Sequence, residues 1–493
     1  VNARERAYQA ARQGKVPTPP PPPPPTSSSL KMPHTLVIVA ALILLVLILS
    51  WLVPSGEFQR MEKLLPDGSR LKVPVDGTYH QLTKTYLGLQ TLFLSPIKGF
   101  LDGAGLISFL LIIGGSFGIF QETGAVEQGI KRLTVHVRRH PWLETLFIPV
   151  LMAVFSLAGA VFGMAEELIP LVMIFIALSR ALGYDSIVGT AIPFLGAAAG
   201  FACAFFNPFT VGVAQGIAGV PIYSGLAYRV CAWVVATGVV IAYVMIYAAK
   251  IKKNPELSPV RDIDLARESQ ASGAGDSWNA KHILALLTFL GALILLVYGV
   301  LKHHWYLEPI AALFLGMGIL IGLISRMAPS TIAKHFVAGA KDMVGVVFIV
   351  ACARALLVIA NDARIMDTLL LCGSSAIKVL PKAMTAQVMF LLQCGINFFI
   401  HSGTSQAALT MPVLAPLSDL VGITRQTCVY SFALSELINP ILPTSAVTMG
   451  VLGAAKIPWE RWAKWFLPLM LILVVLAFLL LVPPTLFFHW GPV

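Results

Sequence analysis

Charge is what this chain has least of. Only 12% of its 493 residues are Asp, Glu, Lys or Arg, against about a quarter in soluble domains, while 57% are hydrophobic and the mean hydropathy is +0.80. That scarcity excludes a cytosolic enzyme and a disordered chain, and leaves a polytopic membrane protein whose first partner is the lipid bilayer. Cysteine is scarce too. Cys203, Cys231, Cys352, Cys372, Cys394 and Cys428 lie in or beside apolar stretches, and no pair has metal-ligand or redox spacing. A disulfide-rich module is excluded, and the six read as small packing residues. Neither a His-Glu zinc motif nor a glycine-flanked nucleophilic serine is present, so neither an enzyme nor a cofactor is expected. The net charge of +11 would suit nucleic acid, but the basic residues fall in the connections between apolar runs, where orientation in a bilayer accounts for them. No nucleic-acid partner is expected.

Residues 1–33 hold Arg4, Arg6, Arg12, Lys15, Lys31 and the run Pro19 to Pro25, a composition that predicts a disordered, extended cytoplasmic tail. The first apolar run begins near His34 and is long enough to span, so an uncleaved first helix is expected. A spanning helix needs about 20 mostly apolar residues. Nine segments meet or approach that: 34–53, 104–122, 187–220, 226–249, 281–301, 307–325, 341–361, 427–455 and 462–482. Two of them, 187–220 and 427–455, are too long and are broken by proline and polar residues. Regions 146–182 and 384–421 each hold two apolar pieces around a short polar break, and read as re-entrant helical hairpins. With the tail inside, the inner connections hold 21 Lys and Arg and the outer ones 11, six of them in the long 55–103 loop. That bias puts the N-terminus in the cytoplasm and the C-terminus outside. Residues 250–280 then form a cytoplasmic linker between the halves 34–249 and 281–482, and 483–493 form a C-terminal tail.

The two halves repeat an order of features about 237 residues apart. One helix ends at Phe162-Gly163-Met164-Ala165-Glu166-Glu167 and a later one is interrupted at Asn207-Pro208-Phe209-Thr210. Their counterparts are His401-Ser402-Gly403-Thr404-Ser405-Gln406 and Asn439-Pro440-Ile441-Leu442-Pro443-Thr444-Ser445. In the expected topology the first hairpin enters from the cytoplasm and the second from outside, so the halves are inverted. Inverted repeats with broken helices point to the binding site of a secondary transporter. The reason lies in hydrogen bonding: a proline removes a donor and clashes with the preceding turn, and freed backbone groups are tolerated at membrane depth only against protein, water or a ligand.

Glu166 and Glu167 put two ionisable groups at a break inside the membrane, where each costs a few kcal/mol. A cation, a substrate ammonium or a transported proton is the expected partner, and a salt bridge bracing the hairpin is the plainer alternative. Asn207, Thr210, Asn439, Thr444 and Ser445 sit at the helix breaks, where amides and hydroxyls either cap frayed ends or meet a ligand. Their occurrence in both halves favours the ligand, with a Na+ position near Asn207, Asn439 and Thr444. His401, one histidine of ten, stands at a break and can titrate near neutrality, although a satisfied buried histidine is the plainer reading. Ser402, Thr404, Ser405 and Gln406 follow it, a polar density that lipid contact does not explain. Gln215 and Thr448 are weaker candidates for which an interhelical hydrogen bond would serve. Arg354, inside an apolar helix, either neutralises a substrate carboxylate or pairs with an acid such as Glu436, and pairing is the safer choice. Gly114-Gly115 suits close helix packing, and 123–140, with Lys131, Arg132, Arg138 and Arg139, reads as an interfacial helix.

At these residues the chain resembles the C4-dicarboxylate anaerobic carrier family, most closely its YfcC-like branch. The matching stretches are Lys31-Met32-Pro33-His34-Thr35, Val53-Pro54-Ser55-Gly56-Glu57-Phe58, the Phe162 to Glu167 break, Gly183-Tyr184-Asp185-Ser186 and Asn207 through Gln215. The resemblance runs over about residues 31–482. It implies a place in the ion-transporter superfamily, whose members are homodimers with a scaffold and an elevator-type transport domain that hold substrate and cation where hairpin tips meet broken helices. Many carry a Ser-Asn-Thr signature there; this chain has Glu166-Glu167 and Thr404-Ser405-Gln406 instead. The expectation is therefore an all-α polytopic protein of the bacterial inner membrane, with nine transmembrane helices and two re-entrant hairpins in an inverted repeat. It should be a homodimeric secondary transporter of a small carboxylate-bearing metabolite, an amino acid before a C4-dicarboxylate, by antiport or by Na+ or H+ coupling. A channel is the alternative of another class.

Overall fold

In hydrocarbon a backbone amide has no partner except another part of the chain, so apolar runs of this length close into helices. The computed structural model describes residues 35–64, 70–126, 128, 129, 132, 141–271, 279–303, 305, 307–378, 380–487 and 490. Helix α1 (Thr35–Leu52) leads into four short strands, β1 (Gly56–Glu57), β2 (Arg60–Leu64), β3 (Arg70–Pro74) and β4 (His80–Gln81), with β1 antiparallel to β4 and β2 antiparallel to β3. Next come α2 (Thr91–Asp102), α3 (Ala104–Glu122), α4 (Pro141–Phe162), α5 (Leu168–Ala181) and α6 (Ser186–Ala202). A π-helical turn at Pro208–Gly212 precedes α7 (Val213–Ala218), α8 (Leu226–Lys253) and the connecting helix α9 (Arg261–Ala271). The second half holds α10 (Ala280–His303), α11 (Leu307–Ile324), α12 (Pro329–Asp362), α13 (Met366–Ile377), α14 (Lys382–Asn397), α15 (Gly403–Leu420) and α16 (Arg425–Ser435). A 3-10 turn at Glu436–Ile441 then leads to α17 (Ala446–Ala454) and α18 (Trp459–Leu486).

Among the described residues, seven helical stretches are long and apolar enough to cross a membrane: α1, α3, α8, α11, α12, α18 and the interrupted Arg425–Ala454. The expected nine also count 187–220 and 281–301. The first is cut after Ala202, and the apolar part of α10 is Ala280–Leu296. Residues 1–33 and most of the interfacial helix expected at 123–140 lie outside the described residues.

Two local outcomes differ from the sequence expectation. The 55–103 loop holds the strand ladders and α2, pinned to the second half where Ser55 Oγ donates to Ala363 O (2.8 Å), Phe58 N donates to Asp367 Oδ2 (2.9 Å) and Arg60 pairs with Asp367 (3.0 Å). Helix α18 runs on through Pro483 and Pro484 instead of giving way to a tail at 483. Pro484 has no N–H for the carbonyl one turn back, and the Tyr228 hydroxyl donates to that oxygen, on Leu480, at 2.6 Å.

Packing places the interruptions together. Helices α4 and α5 both lie on α6, α7 lies on α15, α14 lies on α16 and α18, and α3 lies against α11 and α12. Gly114 and Gly115 meet Gly339 and Phe336 of α12, the close approach expected of them.

Candidate functional site

Helix α4 ends at Gly163, whose φ of +72° is left-handed and suits glycine. A Cβ there would come within 2.7 Å of Asn207 Oδ1, so the first tip lies directly on the first broken helix. Within the tip, Ala165 N donates to Glu167 Oε2 at 2.9 Å. The Asn207 side chain accepts from Phe209 N (2.9 Å) and Thr210 N (3.3 Å), capping the π turn that its own interruption opens.

The second tip forms between α14 and α15. Ser402 Oγ accepts from Ser405 N at 3.4 Å as the N-cap of α15. His401 Nε2 and Thr444 Oγ1 are hydrogen-bonded at 2.7 Å, which joins this tip to the second broken helix, and Thr404 Oγ1 donates to Phe209 O at 3.0 Å, which joins it to the first. In the second broken helix Asn439 Nδ2 donates to Glu436 Oε2, Thr448 Oγ1 donates to Asn439 O (2.7 Å) and Ser445 Oγ accepts from Thr448 N (3.3 Å).

All four interruptions border one cavity of about 460 Å³. Of the residues singled out from sequence, Glu166, Glu167, His401, Ser402, Thr404, Ser405, Asn439, Thr444 and Ser445 line it. Asn207, Thr210 and Gln406 do not. They are fully buried behind the tips: Asn207 under Gly163, Thr210 against Gly403, and Gln406 in a network with Gln393 Oε1 (2.8 Å) and Ser435 Oγ (3.4 Å). Of the expected Na+ position, Asn207 Oδ1 is engaged by its cap and Thr444 Oγ1 by His401, while Asn439 Oδ1 is buried without a hydrogen-bond partner. Gln215 takes the interhelical role, donating to Gln426 Oε1 at 3.1 Å.

From the sequence alone, Glu436 is a candidate partner for Arg354 and no more. It is 2% exposed, reaches the cavity wall, and its Oε1 is buried without a hydrogen-bond partner. Arg354 does not pair with it: its Nη1 donates to Asp102 Oδ2 at 3.4 Å, because α2 and not the 3-10 turn lies beside that stretch of α12. The cavity wall is therefore acidic at Glu166, Glu167 and Glu436, and Arg354 is the one permanently cationic side chain among the described residues that line it. Phe194, Phe201, Phe209 and Phe399 are the aromatic part of its wall. An acidic, partly aromatic chamber of this volume suits a small organic cation.

The family model described as C4-dicarboxylate anaerobic carrier matches residues 32–485. An Escherichia coli (strain K12) protein named "Putative basic amino acid antiporter YfcC" is 37% identical over 453 residues, covering 85% of this chain and 89% of the relative. An uncharacterized Haemophilus influenzae protein is 28% identical over 415 residues, covering 83% and 81%. The solved structure of Neisseria gonorrhoeae MtrF, reported as illuminating a class of antimetabolite efflux pumps, is 16% identical with a TM-score of 0.38, over 94% of this chain and 98% of that one.

Proposed function

Because this chain belongs to the C4-dicarboxylate anaerobic carrier family and is a multi-pass membrane transporter, we propose that it carries a basic amino acid by antiport. The single observation behind this reading is the make-up of the cavity wall, three acidic side chains against one guanidinium. A basic amino acid brings two positive groups and one negative group, and complements that wall. A C4-dicarboxylate brings two negative groups to a wall that is already acidic, a like-charge juxtaposition that costs several kcal/mol. The name of the YfcC relative supports the same substrate class and the exchange mode.

In this reading Glu166, Glu167 and Glu436 meet the cationic groups, while Ser402, Thr404, Ser405, Asn439, Thr444 and Ser445 supply neutral hydrogen bonds, and His401 orients Thr444. Elevator motion of the tips and broken helices against the remaining helices gives alternating access, in a homodimer of the bacterial inner membrane with the N-terminus in the cytoplasm. The Lys and Arg bias of the connections supports that orientation.

A thermal-unfolding screen of the full chain in detergent tests the substrate class. A ligand that binds only the native state adds about 2.7 kcal/mol at a hundredfold excess over Kd. L-Arginine and L-lysine are expected to raise the melting temperature, with or without Na+, and succinate is not. A shift with succinate and none with either basic amino acid would overturn the reading in favour of a dicarboxylate carrier.

A further inference from the structure

Helix α2 ends in an acid that is badly placed for the helix itself. Asp102 is its last residue, at the negative end of the helix dipole, where an anion is disfavoured, and the last turn holds no basic residue. Its compensation comes from outside, from Arg354 of α12. The two helices touch backbone to backbone: a Cβ on Gly99 would strike the Ala351 carbonyl and the Ala355 backbone, and one on Gly103 would come within 3.4 Å of Arg354 Cγ. The pair is thus held in register from both sides of Arg354.

The bond between them is nevertheless a loose one. Arg354 Nη1 to Asp102 Oδ2 is 3.4 Å, well beyond the roughly 2.7–2.9 Å of a tight charge-assisted bond. It uses one of the five guanidinium donors. The two side chains are 38% and 45% exposed. Arg354 also lines the cavity, whereas Asp102 does not. A guanidinium that is weakly held by an acid outside the chamber, and faces a chamber whose other charges are carboxylates, is positioned to change partners.

We propose that Arg354 is the carboxylate-recognising residue of the site and that Asp102 is its resting counter-ion, released when the substrate carboxylate takes the fork. The inference rests on the amino acid reading above and adds the division of labour within it: the acids of the tips read the cationic groups, and Arg354 reads the carboxylate. Asp102 keeps the guanidinium neutralised while the chamber holds no substrate. The carboxylate group thereby becomes a condition for a tight complex, so a decarboxylated amine, which fits the acids equally well, is discriminated against.

The test measures the affinity of the purified full chain for L-arginine and for agmatine, its decarboxylated analogue, in wild type and in Arg354→Gln, Arg354→Lys and Asp102→Asn. Arg354→Gln is expected to weaken L-arginine by roughly 10- to 100-fold, the worth of a charge-assisted hydrogen bond, and not to weaken agmatine, whose two cationic groups lose a like-charge neighbour. Arg354→Lys should restore part of that loss. Asp102→Asn should tighten L-arginine by up to about fivefold, the worth of an exposed ion pair, and should not tighten agmatine. If wild type binds both probes and Arg354→Gln weakens them equally or not at all, or Asp102→Asn weakens L-arginine, the counter-ion exchange is wrong while the substrate class stands. If wild type binds neither probe, the substrate reading falls and takes the exchange with it.

Discussion

Glu436 stands three residues before Asn439, so one turn of 3-10 helix brings its carboxylate onto the Asn439 amide and against the cavity. Gln is nearly isosteric and retains an acceptor for Asn439, so Glu436→Gln removes charge with little change of shape. Affinity for L-arginine and for agmatine should fall together by about 10-fold or more, as it should in Glu167→Gln, measured by calorimetric titration. Loss of L-arginine alone would place the acids at the wrong group. Thr444→Val takes the hydroxyl from His401 Nε2 and should lower stability by about 1–3 kcal/mol as read by denaturant unfolding; an unchanged midpoint would show that the ring finds another partner. At this scale the polar tips were legible because ionisable and hydroxylated residues are costly in hydrocarbon. Which side of a break faces the cavity was not legible. Asn207 and Thr210 carry the same residue types as Asn439 and Thr444 but point behind the tip, and only the packing of Gly163 and Gly403 decides that. Glu436 carries its own signal, an acid inside an apolar run, but its partner is Asn439 and not the Arg354 that the sequence also offers.

The connecting helix α9 fastens parts of both halves. Asp264 accepts from Ser186 N at 3.0 Å and pairs with Arg180 at 3.5 Å. Arg267 donates to Ser186 Oγ at 2.7 Å and to Ala455 O, and Asp262 pairs with Arg461. It therefore ties the turn between α5 and α6 to the turn between α17 and α18. The Asp264 cluster is largely buried, 14% exposed at Asp264 itself, so Asp264→Ala leaves two arginines without their acid and should destabilise by about 3 kcal/mol. Asp262 is 65% exposed, and Asp262→Ala should change stability by less than about 1 kcal/mol. Equal losses in thermal melts of the two variants would contradict this ranking. The Arg461 hydrogen bond holds the Asp262 carboxyl below its usual range. Its small contribution is therefore present at neutral pH and is lost only as the pH falls through that lowered range. The helices were readable as long apolar runs. The strands of the 55–103 connection were not, because they are two to five residues long and are held by contacts to Ala363 and Asp367 some three hundred positions away.

At the scale of the whole molecule, everything depends on the four chain interruptions acting as one chamber for a cationic amino acid that is exchanged across the bilayer. The polar tip and the broken helix of each half were readable from proline and polar breaks alone, whereas the acidity of the chamber needed the third acidic side chain that folding brings to it. The most direct measurement is counterflow in proteoliposomes of the full chain, loaded with L-lysine and given labelled L-arginine outside, for wild type and for Glu166→Gln/Glu167→Gln. The account predicts saturable uptake by wild type that requires internal basic amino acid, and little or none by the double variant. Uptake that is the same in the double variant, or a flux that neither saturates nor depends on internal substrate, would contradict it.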